Sequence, residues 1–190
     1  MLTLVAAGFF APTSTLAAPA STTKLADAMQ RKIDFVTVNG RKAIPEKKST
    51  VFAQDEINAY FAERRLKMPE GVRSVKFQLR PELVTANASI DFDEITREKR
   101  SLNPLMYLFT GLHDVTVTAR AVPLGKGEVR VTVETVTIDG VTVPKMALKF
   151  FVERYVNPKY PNVGLDHEYR LPAKMNSVII QKAKGTVNQG

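Results

Sequence analysis

The sequence predicts an α+β fold in which a strongly curved, mostly antiparallel sheet wraps around a long apolar helix. Three observations lead to this prediction. Period-two hydrophobic alternation recurs in hairpins that are separated by helical segments. One strand, which starts near Glu128, changes phase between Val133 and Val136, so we expect a β-bulge near Glu134 to bend it. The segment that follows, Met146 to Tyr155, is apolar around most of its circumference, as buried helices are.

The N-terminal segment, Met1 to Ala20, is typical of a secretory signal peptide. It carries no charged side chain and ends in small residues, so cleavage is expected after Ala18 or Ala20. Its apolar run is too short to span a bilayer and is interrupted by Pro12, which argues against the alternative of a membrane anchor. The basic residues that open a signal peptide are missing, so we interpret it as N-terminally incomplete. The sequence therefore predicts a secreted, periplasmic protein.

The composition restricts the chemistry and the partners. The chain has no Cys, which excludes disulfides, thiolate metal sites and Cys nucleophiles. Its net charge of +8 favours an acidic partner, and an anionic membrane surface is a candidate. Because secretion separates a protein from most nucleic acid, we expect no nucleic-acid partner.

Residues 21–48 are predicted to form an N-terminal helix and a basic loop, ahead of a single α+β domain of residues 49–190. In this first part we expect a helix over Lys24–Lys32, an extended segment over Ile33–Val38, a turn at Asn39-Gly40 and a basic loop over Arg41–Lys48.

The first half of the larger domain alternates helix and hairpin. We expect an extended Ser49–Ala53, a helix from Asp55 to Lys67, strands over Val75–Leu79 and Val84–Phe92, and a solvated turn over Asp93–Ser101. The acidic first turn and basic last turn of the Asp55 helix suit the helix dipole.

The second half of this domain contains the bulged strand that starts near Glu128 and the apolar helix from Met146 to Tyr155. We expect a short helix over Asn103–Leu112, a strand over Val115–Ala121, a hairpin at Leu124–Gly127, a turn at Asp139-Gly140, and strands over Leu165–Leu171 and Ser177–Ala183. Several inward strand positions are alanines, which leave space beside the sheet: Ala86, Ala88, Ala119 and Ala121.

This order of elements resembles a known group of proteins. DEINAYF, the hairpin after it, a short apolar helix ending in Gly and VTVETVTIDGVTVPKMALKFFVE together resemble bacterial exported proteins related to the tubular lipid-binding (TULIP-like) superfamily, over roughly Ser49 to Lys184. The resemblance implies a curved antiparallel sheet around a helix, with an apolar groove for acyl chains. It carries over no catalytic residue.

The candidate site is accordingly an apolar lining. We expect it to comprise Phe61, Val131, Val133, Leu148, Phe151 and Val152. The alternative for these side chains is an ordinary packed core.

The residue clusters that could form a catalytic or metal site each have a simpler structural explanation. His113-Asp114 and Asp166-His167-Glu168 could bind a divalent metal only if the fold brought them together, and surface turns are the simpler interpretation. Asp91, Asp93 and Glu94 could in principle serve a glycosidase, but a charged strand end explains them equally. No GxSxG motif or phosphate-binding loop is present.

The sequence therefore predicts a non-enzymatic binding protein, without cofactor or metal, for a lipid or other apolar ligand, with envelope lipid transport as a role. The alternative is an envelope structural or interaction module with a packed core, whose basic surface meets an acidic partner. Oligomeric state cannot be read from the residues.

Overall fold

Within residues 21–96 and 109–190, which the computed structural model describes, nine strands form two antiparallel sheets and four α-helices accompany them. The strands are Lys48–Ala53 (β1), Val72–Arg80 (β2), Leu83–Asp91 (β3), Leu112–Gly125 (β4), Glu128–Ile138 (β5), Val141–Thr142 (β6), Asp166–Arg170 (β7), Met175–Gln181 (β8) and Lys184–Gln189 (β9). The helices are Thr22–Arg41 (α1), Gln54–Ala62 (α2), Phe92–Thr96 (α3) and Lys145–Phe151 (α4). The α+β class and the mostly antiparallel pairing are confirmed.

The two sheets divide the strands unequally. The smaller sheet has the order β1-β9-β8, and the larger has the order β2-β3-β4-β5-β6 with β7 also paired to β5. They meet where Ala183 donates its backbone N–H to Leu79 O over 3.0 Å and Gln54 donates to Ala183 O over 2.9 Å. The predicted single, strongly curved sheet is wrong, because β1, β8 and β9 pair with one another and neither sheet is strongly curled.

The predicted helical span of Met146 to Tyr155 is confirmed, but this helix is short and is not the long helix of the predicted fold. α4 has 7 residues and continues as a 5-residue π-helix, Val152–Val156, before Pro158. Because a helix rises 1.5 Å per residue, the two parts span only about 18 Å. The sheet therefore does not wrap a long helix; α4 covers one part of it.

The N-terminal part of the chain departs most from prediction. A single 20-residue helix replaces the predicted short helix, extended segment and turn, and Ser21 caps it by accepting from Lys24 N over 3.4 Å. Ile33 to Val38 favour a strand by their β-branched residues, but Val36 packs in a core cluster with Phe52 and Val187. Tertiary burial on the helical period therefore overrides the local preference.

Smaller differences lie elsewhere. α2 ends at Ala62, not Lys67, because Arg64 takes a left-handed backbone with φ of 52°. Asp93 and its neighbours belong partly to α3 and not to a turn. The predicted strand at the chain end is β8, but β9 after it was missed. The predicted signal peptide lies outside the described residues, as do residues 103–108 of the predicted Asn103–Leu112 helix, whose last residue, Leu112, instead begins β4.

Candidate functional site

The larger sheet has one apolar face, which its register defines. Side chains of residues paired across an antiparallel ladder point to the same face. Four rows of paired residues cross this face, namely Ala88-Val115-Ile138, Phe77-Ala86-Val117-Val136, Leu79-Val84-Ala119-Val133 and Ala121-Val131. The predicted lining residues on β5 therefore lie on the same face as the predicted inward alanines.

The β5 bulge keeps this face continuous. Thr118 pairs with Thr135 while Ala119 pairs with Val133, so Glu134 is the extra residue in the strand. Because of that insertion, Val133 and Val136 point to the same face although three residues separate them. The predicted bulge near Glu134 is confirmed.

α4 covers one end of the apolar face with aromatic side chains. Phe151 stacks on Phe109 with ring centroids 4.3 Å apart, and it contacts Phe92 and Tyr155 at 5.6 and 5.3 Å. Leu148 and Phe151 are each only 8 % exposed and belong to the main core cluster. At this end, side chains fill the space between the sheet and the helix.

α2 lies along the opposite edge of the sheet, beside β2. Phe61 contacts Phe77, on the apolar face, at a ring-centroid distance of 4.9 Å. The amide of Asn58 accepts from Phe77 N over 2.7 Å and donates to Phe77 O over 2.9 Å, as a neighbouring strand would. Phe61 is therefore separated from the α4 residues by the width of the sheet.

The middle of the face is neither fully covered nor fully exposed. Its small and β-branched residues are all half-buried: Ala86, Val117, Ala119, Ala121, Val131 and Val133. A well-packed core holds few voids and buries such side chains almost completely. Apolar surface therefore remains accessible between the two helices.

A pocket of about 370 Å³ lies where β5 meets α4. β5 pairs with β7 up to Thr132 and with β6 from Thr137, so the edge between them has no strand partner among the described residues. Within those residues, Val133 N donates to Leu165 O over 2.7 Å and Val136 O accepts from Val143 N over 2.9 Å across the gap. The apolar lining consists of Val133, Val136, Val143, Pro144, Leu148 and Leu165.

Polar side chains form the rim of this pocket. Thr132 donates its hydroxyl to Asp166 over 3.0 Å, and Glu134 accepts from Arg120 over 2.7 Å. Lys145 is an exposed cation at the start of α4. An apolar floor with a few polar groups at its mouth is the usual composition of a small-molecule site.

The six predicted lining residues separate into three groups. Val133 and Leu148 line the pocket together. Phe151 is buried in the aromatic cluster beside it, while Val131 and Val152 are half-buried outside the pocket lining. Phe61 lies across the sheet. Leu165 and Val143 are not among the predicted residues, because they reach the pocket through backbone hydrogen bonds to β5 that no local sequence pattern reveals.

The His113 cluster occupies a second pocket of about 470 Å³ on the other side of the β5-β6 hairpin. Its Nδ1 lies 2.5 Å from Asp139 Oδ2 and its Nε2 lies 2.6 Å from Thr110 O. The hydrogen bond to the Asp139 carboxylate raises the pKa of His113, and the same bond lowers the pKa of Asp139. When His113 is protonated, it forms an ion pair with Asp139 at the edge of this pocket.

The fold does not bring the two His clusters together. His167, on β7, pairs with Val131 on β5. Val131 in turn pairs with Ala121, which lies eight residues along β4 from His113. Among residues 21–96 and 109–190, no three His, Cys, Asp or Glu side chains come together as they would around a metal.

The carboxylates at the end of β3 are held by an arginine. Arg73 donates to Asp91 and to Glu94 over 2.9 Å each. The hydrogen bond from Arg73 lowers the pKa of Asp91 below its usual range. A glycosidase acid needs a raised pKa, so this geometry does not support one.

Two groups of basic residues lie near α1. Arg65 is paired with Asp27 at 2.9 Å and Glu63 at 3.3 Å, near the start of α1. Arg41 to Lys48 follow the other end of that helix. Within the described residues, these two groups therefore lie at opposite ends of α1.

No family model, curated protein or solved structure matches this chain. The resemblance to TULIP-like proteins therefore stays a prediction. In the part of the chain that the structure describes, no helix combines the length and the hydrophobicity needed to cross a membrane.

Proposed function

We propose that this chain is a non-enzymatic binding protein that is exported to the periplasm and holds a lipid or other apolar ligand. The ligand would lie in the pocket between β5 and α4 and extend over the half-buried middle of the larger sheet. A role in envelope lipid transport is consistent with such a site. The observation that carries the proposal is the 370 Å³ pocket with an apolar floor, at a gap in the pairing of the sheet edge.

The size of the pocket limits the ligand. Small-molecule sites typically measure about 300–1,000 Å³, so this pocket is at the lower end of the range. We therefore propose a single acyl chain or a compact apolar molecule, and not a lipid with several chains. Burial of each methylene contributes about 0.8 kcal/mol, so a chain of moderate length would bind usefully.

The test uses Thr135→Phe. Thr135 is exposed and lines the edge of the pocket, on the face opposite to Val133 and Val136, so a phenyl ring there would obstruct the mouth of the site without disturbing the core. We expect binding of a fluorescent fatty acid to weaken at least about tenfold. Lipid extracted from the purified chain and identified by mass spectrometry should decrease in the same variant.

Thr137→Phe is the matched control, because Thr137 lies on the same strand but does not line the pocket. It should bind the fatty acid as the unmodified chain does. A purified chain that carries no lipid and does not bind the fatty acid would overturn the proposal, as would equal loss in both variants.

A second candidate function is favoured by the aromatic cluster around Phe151. The stacking of Phe151 on Phe109 and the burial of both indicate that this end of the sheet is a packed core. An envelope interaction module with a basic surface for an acidic partner would need only a packed core of this kind, and no ligand pocket. Failure of the fatty acid to bind, together with a folded chain, would favour this function.

A further inference from the structure

The outer face of α1 carries exposed apolar side chains toward its C-terminal end. Arg31, Phe35, Val38 and Lys42 follow one another at spacings of four, three and four residues, so they lie along one helix face. Phe35 is 38 % exposed and Val38 is 57 % exposed. Ile44, in the loop that follows, is 86 % exposed. Exposed apolar side chains that recur on one surface indicate an interaction site.

The loop that presents Ile44 is held by side chains on both sides. Asn39, only 1 % exposed, donates to Glu46 O over 3.0 Å and accepts from Glu46 N over 3.0 Å. Lys174 donates its ammonium to Lys42 O and Ala43 O, over 2.6 and 3.0 Å. The isoleucine is therefore fixed in an exposed position, and little conformational entropy would be lost when a partner covers it.

Basic residues are frequent in the segment that carries these apolar side chains. The segment from Arg31 to Lys48 contains six basic and two acidic residues, so it carries half of the net charge of +8. Of the two acidic residues, Glu46 is paired with Lys42 at 2.5 Å and Asp34 accepts from Gln30 at 2.9 Å. Lys47 and Lys48 are exposed beside the loop.

We propose that this surface, formed by Arg31, Phe35, Val38, Lys42, Ile44, Lys47 and Lys48, docks the protein on an anionic lipid bilayer. Phe35, Val38 and Ile44 would enter the interface between head groups and acyl chains, and Arg31, Lys47 and Lys48 would contact the phosphates. A second copy of the chain fits less well, because a two-fold interface would bring two basic surfaces together. The proposal does not depend on a ligand in the β5-α4 pocket.

The test is flotation of the full chain with vesicles. One set contains phosphatidylcholine alone and the other an equal mixture of phosphatidylcholine and phosphatidylglycerol. We expect binding to the anionic vesicles only, weakening as salt rises. Ile44→Ser should lower the partition coefficient about tenfold, and Lys47→Glu combined with Lys48→Glu should lower it at least about tenfold.

Matched control variants distinguish an effect of this surface from a general effect of lost charge or lost hydrophobicity. Met146→Ser removes an apolar side chain that is 77 % exposed on another element. Lys76→Glu combined with Arg80→Glu makes the same change in net charge on β2. Both should float as the unmodified chain does, and so should Thr135→Phe, which alters the ligand pocket only.

Three results would overturn the proposal: no flotation with anionic vesicles, equal flotation with both vesicle types, or equal losses in the surface and control variants. Sedimentation adds a fourth, namely a dimer that Ile44→Ser converts to a monomer. Unchanged thermal unfolding of each variant would show that losses are not caused by misfolding.

Discussion

At the scale of single residues, His113 connects three segments through its two ring nitrogens. One nitrogen faces Asp139 in the β5-β6 turn and the other faces the carbonyl of Thr110. Because both partners are acceptors, the imidazolium form satisfies both bonds by donating. This role of His113 could not be predicted from the sequence, since Asp139 lies 26 residues away in the chain.

The stability of the protein should therefore depend on His113 in a pH-dependent way. A raised pKa in the folded state means that the stabilisation is complete below the unfolded pKa, about 6.5, and is lost as pH rises through the folded value. We expect His113→Gln to lower the melting temperature most in mildly acidic buffer, with the difference narrowing as pH increases. Thermal unfolding followed across the neutral range measures this.

His167→Gln is the control for that experiment. His167 is exposed and contacts Tyr169 at a ring distance of 4.9 Å. A change in melting temperature that both variants share would come from the loss of a histidine in general, and not from the contact with Asp139. A melting-temperature difference between His113→Gln and the unmodified chain that is constant with pH, or that grows in alkaline buffer, would show that the pair of His113 and Asp139 does not stabilise the fold as an ion pair.

At the scale of elements, the sequence predicts a feature correctly where the local residue pattern alone determines the backbone conformation. The change of phase in the β5 sequence indicates the bulge directly. Asp139-Gly140 forms a turn with φ of 48° and 80°, and a type I′ hairpin turn requires positive φ at both residues. β9 was missed because Gly185 and Gln189 are buried in it without being apolar. Gln189 is satisfied by donating to Val36 O over 2.9 Å and Ala173 O over 2.6 Å, contacts that sequence spacing cannot reveal.

The free edge of β2 depends on a side chain of α2. Asn58→Asp keeps the acceptor for Phe77 N but removes the donor to Phe77 O. We expect a loss of about 1–3 kcal/mol in the free energy of unfolding, because the carbonyl loses its partner and faces a carboxylate. Urea denaturation measures this.

Asn87→Asp provides the comparison. Asn87 is exposed on β3 and accepts from the Thr116 hydroxyl over 2.9 Å, a role that an aspartate keeps. Its free energy of unfolding should change by less than about 0.5 kcal/mol. Equal effects of the two substitutions would mean that added negative charge, and not the lost donor, is responsible.

At the scale of the whole molecule, the division into two sheets is the feature that the sequence could not predict. Alternation identifies strands, but it does not say which strands pair when residues far apart in the chain must meet. β1 pairs with β9 from the opposite end of the chain, and α1 packs on that sheet through Val36. The same limit applies to the candidate site, where Val133 and Leu148 were predicted but Leu165 was not.

The docking of α1 on the smaller sheet can be tested at Gly40. A Cβ at this position would lie 2.3 Å from Ala173 O and 2.6 Å from Ala173 C, both backbone atoms that cannot move alone. Helix propensity by itself favours alanine by up to about 1 kcal/mol, so an undocked helix would be stabilised. We expect the steric clash to win, and Gly40→Ala to lower the free energy of unfolding by about 1–3 kcal/mol.

Two measurements make that result specific to docking. Gly164→Ala, whose Cβ would have its nearest neighbour at 3.6 Å, should change the free energy of unfolding by less than about 0.5 kcal/mol. Circular dichroism follows the helices, and tyrosine fluorescence follows the packed interior because the chain has no Trp. If α1 is part of one cooperative structure, both signals shift together in Gly40→Ala. A stabilised helix signal with an unchanged tyrosine transition would instead mean that α1 unfolds independently.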